Sequence, residues 1–232
     1  FYLSQTEVEQ AHIQSAYVFE LSKVEHLPIR ERLVSHLLNI DETLANKVAE
    51  GLGLQEMPDP AEAAMPTRDD LPVSDALSIL KNAPNTFKGR KLGILVSDGF
   101  NADIFESVTN ALESEGANFE IIAPQVGGAK CSKGKHFKAD QVINGGPSVL
   151  YDAVLVLTTE EGAEKLAAIA EAKDFVSDAY AHMKYIGYTQ EAKLLFKAAG
   201  LDDKADDGWI DLEAHSADKF INILRNLRYW ER

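Results

Sequence analysis

The chain has 232 residues, of which 45% are hydrophobic and 26% charged, and its formal net charge is −14. That length fits one large or two modest domains, and that composition is typical of a soluble globular protein. The acidic balance repels nucleic-acid phosphates and anionic lipids, so we expect neither a nucleic-acid nor a membrane partner. No apolar run approaches the roughly 20 residues that cross a bilayer, and we expect a soluble, cytoplasmic protein.

The cysteine and histidine content excludes several kinds of site. The single Cys131 rules out an internal disulfide and a multi-cysteine metal centre, and the six histidines are scattered without metal-ligand spacing. We therefore expect no metal site. The chain begins with Phe1 rather than Met, which suggests a fragment or a processed product.

Residues 1–56 show helical patterns. Ser4 or Thr6 is expected to cap a first helix, and Thr6 with Glu9 three residues later is a capping-box pattern. Pro28 restarts the chain as a second helix, and Asp41 caps a third, whose C-terminal end both Gly51 and Gly53 suit. Three helices of this length bury little surface alone, so the segment is expected to pack on something else.

Residues 57–88, the Pro-rich segment, carry five of the eight prolines of the chain. Proline removes backbone donors and fixes φ, which predicts an extended linker, with one helical turn within 75–80.

Residues 89–232 alternate between strand and helix patterns. Apolar runs predict strands at 91–97, 118–123, 153–157 and 185–189, and a short strand near Trp209. Helical patterns lie between them, and a final helix is predicted over 215–230. A Gly- and Lys-rich stretch at 127–138 suggests an irregular β-hairpin. This alternation predicts an α/β fold: a doubly wound parallel sheet with helices on both faces.

The N-terminal residues carry a family resemblance. The stretches SQTEVEQAHI at 4–13, FELSKV at 19–24, IRERLV at 29–34 and NID at 39–41 resemble the helical end of a haem catalase. The sequences GGPS at 145–148 and YDAV at 151–154 resemble the extra C-terminal domain of large-subunit (clade 2) catalases.

The resemblance implies a fragment of a catalase, the enzyme that decomposes hydrogen peroxide. Residues 1–56 would be the last helices of the catalase body, 57–88 a linker, and 89–232 a flavodoxin-like C-terminal domain. In that family the distal His and Asn and the proximal Tyr lie upstream, so no haem or other cofactor is expected in this chain. The Arg225 and Tyr229 pair matches the spacing of the proximal ligand motif, and we interpret the match as chance.

The C-terminal domain also resembles the PfpI-type, glutamine-amidotransferase-like superfamily. Active members hold a cysteine in a tight turn after a central strand; the matching turn here, 185–190, places Tyr188 or Thr189 at that position. The acid expected after strand one is replaced by Asn101, with Asp103 and Glu106 out of register. We therefore expect no catalytic, cofactor-binding or metal-binding residues, and no enzyme activity in the fragment.

Three further features have two readings each. Cys131, flanked by Lys130 and Lys133, could be a reactive thiol, but we expect an incidental surface cysteine. Asp98 follows strand one, where α/β proteins bind ligands, yet we expect a cap or turn residue. The lysine run at 130–138 is expected to be a solvated loop, with a docking surface as the alternative.

The function expected from these observations is that of a non-catalytic interaction domain. It would stabilise the catalase, with the rest of the subunit and the tetramer as partners. It would also act as a chaperone-like holdase for unfolding client proteins, as several PfpI-like relatives do. The alternatives are a purely structural, oligomer-stabilising module and a residual PfpI-type hydrolase.

Overall fold

The computed structural model describes residues 1–68, 70–213 and 215–232. The chain forms two compact units, Phe1–Ala83 and Pro84–Arg232, and each has its own hydrophobic core.

The first unit is built on three helices, α1 (Glu7–Ser22), α2 (Leu27–Leu37) and α3 (Glu42–Leu52). The predicted capping box is confirmed: the Thr6 hydroxyl accepts from the Glu9 amide, and the Glu9 carboxylate accepts from the Thr6 amide. The Asp41 carboxylate caps α3, and Gly53 ends it in the left-handed conformation, at φ 68°. The core lies between these helices, around Val34, Leu44, Ala45 and Val48.

Much of the Pro-rich segment is hydrogen-bonded to the helical residues of the first unit. The amide of Ala61 donates to the carbonyl of Ser35 at 3.0 Å, and the hydroxyl of Thr67 donates to the carbonyl of Asn39 at 2.9 Å. The helical turn expected within 75–80 is a single 3₁₀ turn, Asp75–Leu77. The segment therefore follows the surface of the first unit, and the fixed φ angles of the prolines favour an extended backbone there.

The second unit contains a six-stranded parallel sheet and a separate two-stranded hairpin. The strands are β1 (Lys91–Val96), β2 (Asn118–Ala123), β3 (Ala129–Lys130), β4 (His136–Phe137), β5 (Gln141–Val142), β6 (Ala153–Leu157), β7 (Ile186–Tyr188) and β8 (Trp209–Asp211). The sheet order is β5-β2-β1-β6-β7-β8, and β3 pairs with β4. The predicted central strands are confirmed, and so is the hairpin.

Helices cover both faces of this sheet. They are α4 (Ala102–Glu115), α5 (Glu160–Ala167), α6 (Ala170–Ala181), α7 (Lys193–Ala198) and α8 (Ala217–Leu224). One core contains residues of α4 and α8 against Leu92, Ile94 and Leu155; the other contains residues of α5, α6 and α7 against Leu95 and Val156. Successive side chains of a strand point to opposite faces, so β1 and β6 supply both cores.

Two predictions about this unit need correction. The final helix ends at Leu224 rather than continuing to residue 230, because Leu227 takes a left-handed backbone conformation at φ 72°. The short edge strand β5 was not predicted; its two residues pair with Ile122 and Ala123 and are too few to show a period of two.

Candidate functional site

The carboxyl ends of the central strands carry three hydroxyl groups that are hydrogen-bonded to one another or to the backbone. The Ser97 and Thr158 hydroxyl oxygens lie 2.6 Å apart, after β1 and β6. The Thr158 hydroxyl donates to the Thr159 carbonyl at 3.0 Å, so Ser97 must be the donor in the pair. The Thr189 hydroxyl, after β7, donates to the Thr158 carbonyl at 3.3 Å. Each hydroxyl proton is therefore committed to a structural bond.

The position of the nucleophile in the PfpI-type pattern lacks a strained turn. Thr189 is 2% exposed and has φ −97° and ψ 157°, which is ordinary extended backbone. An elbow that presents a nucleophile at the end of a strand is sharp and strained, with the side chain exposed. Thr189 meets neither condition, and its hydroxyl is bonded to a carbonyl rather than to a side-chain base.

Tyr188, the other residue at that position, is part of an aromatic cluster. Its ring lies 5.6 Å from Phe196 and 6.3 Å from Trp209, and the ammonium of Lys193 lies 5.8 Å from its centroid. Burial, with the nearby Asp211 carboxylate, raises the pKa of the Tyr188 phenol. The phenol is thus kept protonated, which is the opposite of activation as a nucleophile.

The acidic residues after β1 have structural partners. The Asn101 side chain caps α4, accepting from the amides of Asp103 and Ile104 at 3.0 and 3.1 Å. Asp103 and Glu106 both pair with Lys133 of the hairpin, at 2.5 and 3.3 Å. These carboxylates fix the hairpin to α4.

Asp98 lies at the edge of a cleft of about 580 Å³, where the chain leaves β1 and β6. One of its carboxylate oxygens accepts from the Lys130 amide at 2.8 Å, and its carbonyl accepts from the Thr159 hydroxyl at 3.2 Å. The expectation of a turn residue is confirmed. The other polar groups of the cleft include the ion pair of Glu161 and Lys165.

Cys131 is buried, and the expectation of a surface cysteine is wrong. It is 4% exposed and belongs to the core shared by β1, α4 and α8. Its amide donates to the Lys135 carbonyl, which closes the hairpin turn around Gly134. The flanking lysines point elsewhere: Lys133 pairs with carboxylates and Lys135 lies over the Phe137 ring at 4.7 Å. The lysines of this run are exposed, as a solvated loop requires.

Arg225 and Tyr229 do not fit the haem-ligand pattern whose spacing they match. Since the helix ends at Leu224, the two residues are not one helical turn apart on a common face. The guanidinium of Arg225 binds Glu115 instead, and burial, with the nearby carboxylates, raises the pKa of the Tyr229 phenol.

Two structural centres were not foreseen from the sequence. Lys184 is 2% exposed, and its ammonium donates to the carbonyls of Ser148 and Tyr151 at 2.5 and 2.6 Å. Glu115 accepts from the Phe87 amide at 2.8 Å and from Arg225. No sequence pattern indicates either contact, because the partners lie 28 to 110 residues away.

In the part of the chain that the structure describes, no cluster of three or more His, Cys, Asp or Glu side chains is placed to hold a metal ion. Across the same described ranges, none of the helices has the length and apolar character of a membrane span.

These features define an α/β domain with a six-stranded parallel sheet, preceded by a helical unit, in which Tyr188 and Thr189 stand at the carboxyl end of β7. Residues 88–232 match the family model of the C-terminal domain found in long catalases. Residues 1–52 match the catalase-related immune-responsive family. The chain therefore belongs to the family of long-catalase C-terminal domains.

Individual relatives agree over the whole chain. Catalase C of Rhizobium meliloti is 52% identical over 233 residues, covering 100% of this chain and 33% of the relative. Catalase HPII of Pseudomonas aeruginosa is 36% identical, with 100% and 32% covered, and Catalase-2 of Bacillus subtilis is 30% identical, with 100% and 33% covered. The chain spans about a third of the length of these relatives.

Proposed function

We propose that this chain is a non-catalytic C-terminal region of a long haem catalase, whose complete polypeptide decomposes hydrogen peroxide. The match to catalases along the whole chain supports the activity of the parent. The bonded hydroxyls of Ser97, Thr158 and Thr189 support the absence of activity in this region. The order β2-β1-β6-β7-β8, with the short strands set aside, supports a flavodoxin-like domain, because that fold has the order 2-1-3-4-5.

The role of the region is to pack against the rest of the catalase subunit and stabilise the oligomer. The observation that carries this proposal is the distribution of exposed apolar side chains. Of the seventeen large ones exposed among the described residues, twelve lie in Phe1–Ala83. Phe19, Leu27, Ile29 and Ile40 lie on or beside the helices, at 47 to 62% exposure. This concentration of exposed apolar side chains in one unit supports its packing against the rest of the parent protein.

The test compares the isolated chain with a catalase that contains it. Substituting Ile29→Ser and Ile40→Ser removes exposed apolar groups and should leave the melting temperature of the isolated chain nearly unchanged. In the intact catalase the same change should lower the temperature of thermal inactivation by several degrees. Glu25→Ser, also exposed, is the matched control. Equal inactivation temperatures for the double variant and the control would contradict the packing role.

A second candidate function is chaperone-like holdase activity, which the character of the Pro-rich segment favours. Its exposed apolar side chains are Met57, Met65, Leu71, Val73, Leu77 and Ile79. The two methionines are flexible and polarisable, which suits binding to varied apolar surfaces. The net charge of −14 would keep complexes with unfolded clients dispersed.

Light scattering from a heat-unfolding client protein tests this activity. We expect suppression near stoichiometric ratios of the chain, and none with an equal mass of an inert acidic protein. A Met65→Ser and Ile79→Ser variant should suppress less. If the chain does not change the scattering, the holdase activity is contradicted and only the packing role remains.

A further inference from the structure

Near the end of the first unit, residues 74–82 are bonded to the first turn of α1 and to the residues just before it; we call this stretch the anchored segment. The carboxylate of Glu9 lies at the centre of this contact. One of its oxygens accepts from the Leu80 amide at 3.0 Å, and the other accepts from the Ser78 hydroxyl at 2.8 Å. Glu9 is 8% exposed and Ser78 is 1% exposed, so the bonds are shielded from water.

The same carboxylate completes the capping box of α1. It accepts from the Thr6 amide at 2.8 Å and from the Thr6 hydroxyl at 3.0 Å. Glu9 therefore serves the helix start and the anchored segment at once. If the segment detached, the Glu9 carboxylate would lose the bonds from the Ser78 hydroxyl and the Leu80 amide. These two bonds therefore favour the attached state.

Two more bonds extend the contact, and a third lies within the segment itself. The Ser74 amide donates to the Ser4 hydroxyl at 3.0 Å, and the Gln5 side chain donates to the Leu77 carbonyl at 3.1 Å. The Lys81 amide donates to the Ser78 hydroxyl at 3.0 Å. Chain beyond the segment is fixed again at Thr86 and Phe87, both bonded to Glu115.

We propose that Glu9 anchors residues 74–82 as an integral part of the helical unit, so that the connection to the α/β unit is only Ala83, Pro84 and Asn85. Leu77 and Ile79 are then displayed at fixed positions, 43 and 74% exposed, rather than on a flexible linker. The Lys81–Asn82 bond lies inside the anchored segment and is protected from proteases until the segment detaches.

Hydrogen exchange on the full chain tests the anchor. In the wild type the Leu80 and Lys81 amides should be protected. Ser78→Ala leaves the capping box intact and should speed exchange at Lys81 roughly tenfold, while Glu9→Ala should speed both amides roughly tenfold to a hundredfold. Glu7→Ala, an exposed glutamate in the same helical turn, is the matched control and should change neither amide.

Trypsin cleavage provides an independent readout. We expect cleavage after Lys81 to be slow in the wild type and in Glu7→Ala, and fast in Ser78→Ala and Glu9→Ala, with the exposed Arg68 as an internal reference. Unprotected Leu80 and Lys81 amides in the wild type, or unchanged exchange in Ser78→Ala, would overturn the proposal. If Glu9→Ala unfolds the helical unit, the exchange and cleavage rates of Ser78→Ala alone decide whether the proposal holds. This result is independent of whether the region stabilises a catalase.

Discussion

Arg225 and Glu115, 110 residues apart, form a two-point ion pair in which Nε donates to Oε1 at 3.2 Å and Nη2 donates to Oε2 at 2.6 Å. The pair joins the end of α8 to the end of α4. Oε1 also accepts from the Thr86 hydroxyl and the Phe87 amide, and the Phe87 ring is fully buried. One carboxylate thus holds two helix ends and the entry of the chain into the second unit.

This carboxylate makes the second unit sensitive to acid. The Arg225 guanidinium, with the Phe87 amide, lowers the pKa of Glu115 to about 2 from 4.5. A lowered pKa in the folded state adds stability that is present above about pH 4.5 and is lost as the pH falls toward 2. We expect Glu115→Gln to reduce the free energy of unfolding at pH 7 by about 1–3 kcal/mol and to weaken the pH dependence in this window.

Urea unfolding monitored between pH 7 and pH 2.5 measures the effect. Glu113→Gln, an exposed glutamate two residues earlier, should match the wild type. Equal stability of the two variants at pH 7 would contradict the role of Glu115.

Gly93 in β1 is required by the approach of the Tyr151 ring. A Cβ at position 93 would lie 2.4 Å from Cδ2 of that ring, which is held by a hydrogen bond from its hydroxyl to Glu120 at 3.0 Å. Gly93→Ala should therefore destabilise the chain by about 1–3 kcal/mol in thermal or urea unfolding. Gly127→Ala, with no atom within 4 Å of the new Cβ, should change stability by only a few tenths of a kcal/mol. Similar losses of stability in the two variants would show that contact with the Tyr151 ring is not the cause.

Lys184 should give the chain a stability that rises in mild alkali. Burial lowers the pKa of its ammonium to about 8 from 10.5. Between these values the unfolded state binds more protons than the folded state, so stability increases with pH, by at most about 1.4 kcal/mol per pH unit.

Replacing the lysine isolates this contribution from other titrating groups. The difference in unfolding free energy between wild type and Lys184→Met should shift in favour of the wild type from pH 8 to 10.5. Exposed Lys197→Met should show no such trend. If the difference in unfolding free energy stayed constant from pH 8 to 10.5, the assignment of this pH dependence to Lys184 would be refuted.

Cys131 should be unreactive in the folded chain. Because its side chain lies in the core beside Phe137 and α4, a thiol reagent can reach it only after local or global opening. We expect native labelling to be roughly a hundredfold slower than labelling in concentrated urea. Native labelling at the rate of the unfolded chain would place the thiol on the surface.

The sequence could predict the parallel strands, because 153–157 is apolar throughout and 118–123 ends at Pro124. It could not predict the end of α8. Leu227 continues the apolar spacing of that helix, and a left-handed leucine is rare enough to have no sequence signal. Nor could it predict the burial of Cys131 among lysines whose ammonium groups turn outward.

Contacts between distant residues were the other limit. Pro-rich composition indicates an extended chain but not what the chain lies on, and Glu9 and Ser78 are 69 residues apart. At the candidate site, the sequence alone showed that Tyr188 and Thr189 stand where the PfpI-type resemblance would place a cysteine. The hydrogen bonds that commit the hydroxyls of Ser97 and Thr158 required the structure.

The long separation in sequence between α8 and the strands that it covers has a consequence for synthesis on the ribosome. Strands β1, β2 and β6 are synthesised before α8 and can pair, yet the face of the sheet that Phe220 and Leu224 cover stays open until α8 has left the exit tunnel. Glu115, which binds the Phe87 amide, likewise cannot form its ion pair until Arg225 has been synthesised. Nascent chains would therefore expose one apolar face of the sheet until α8 emerges, and truncation before residue 217 should produce an aggregating product rather than a smaller folded one.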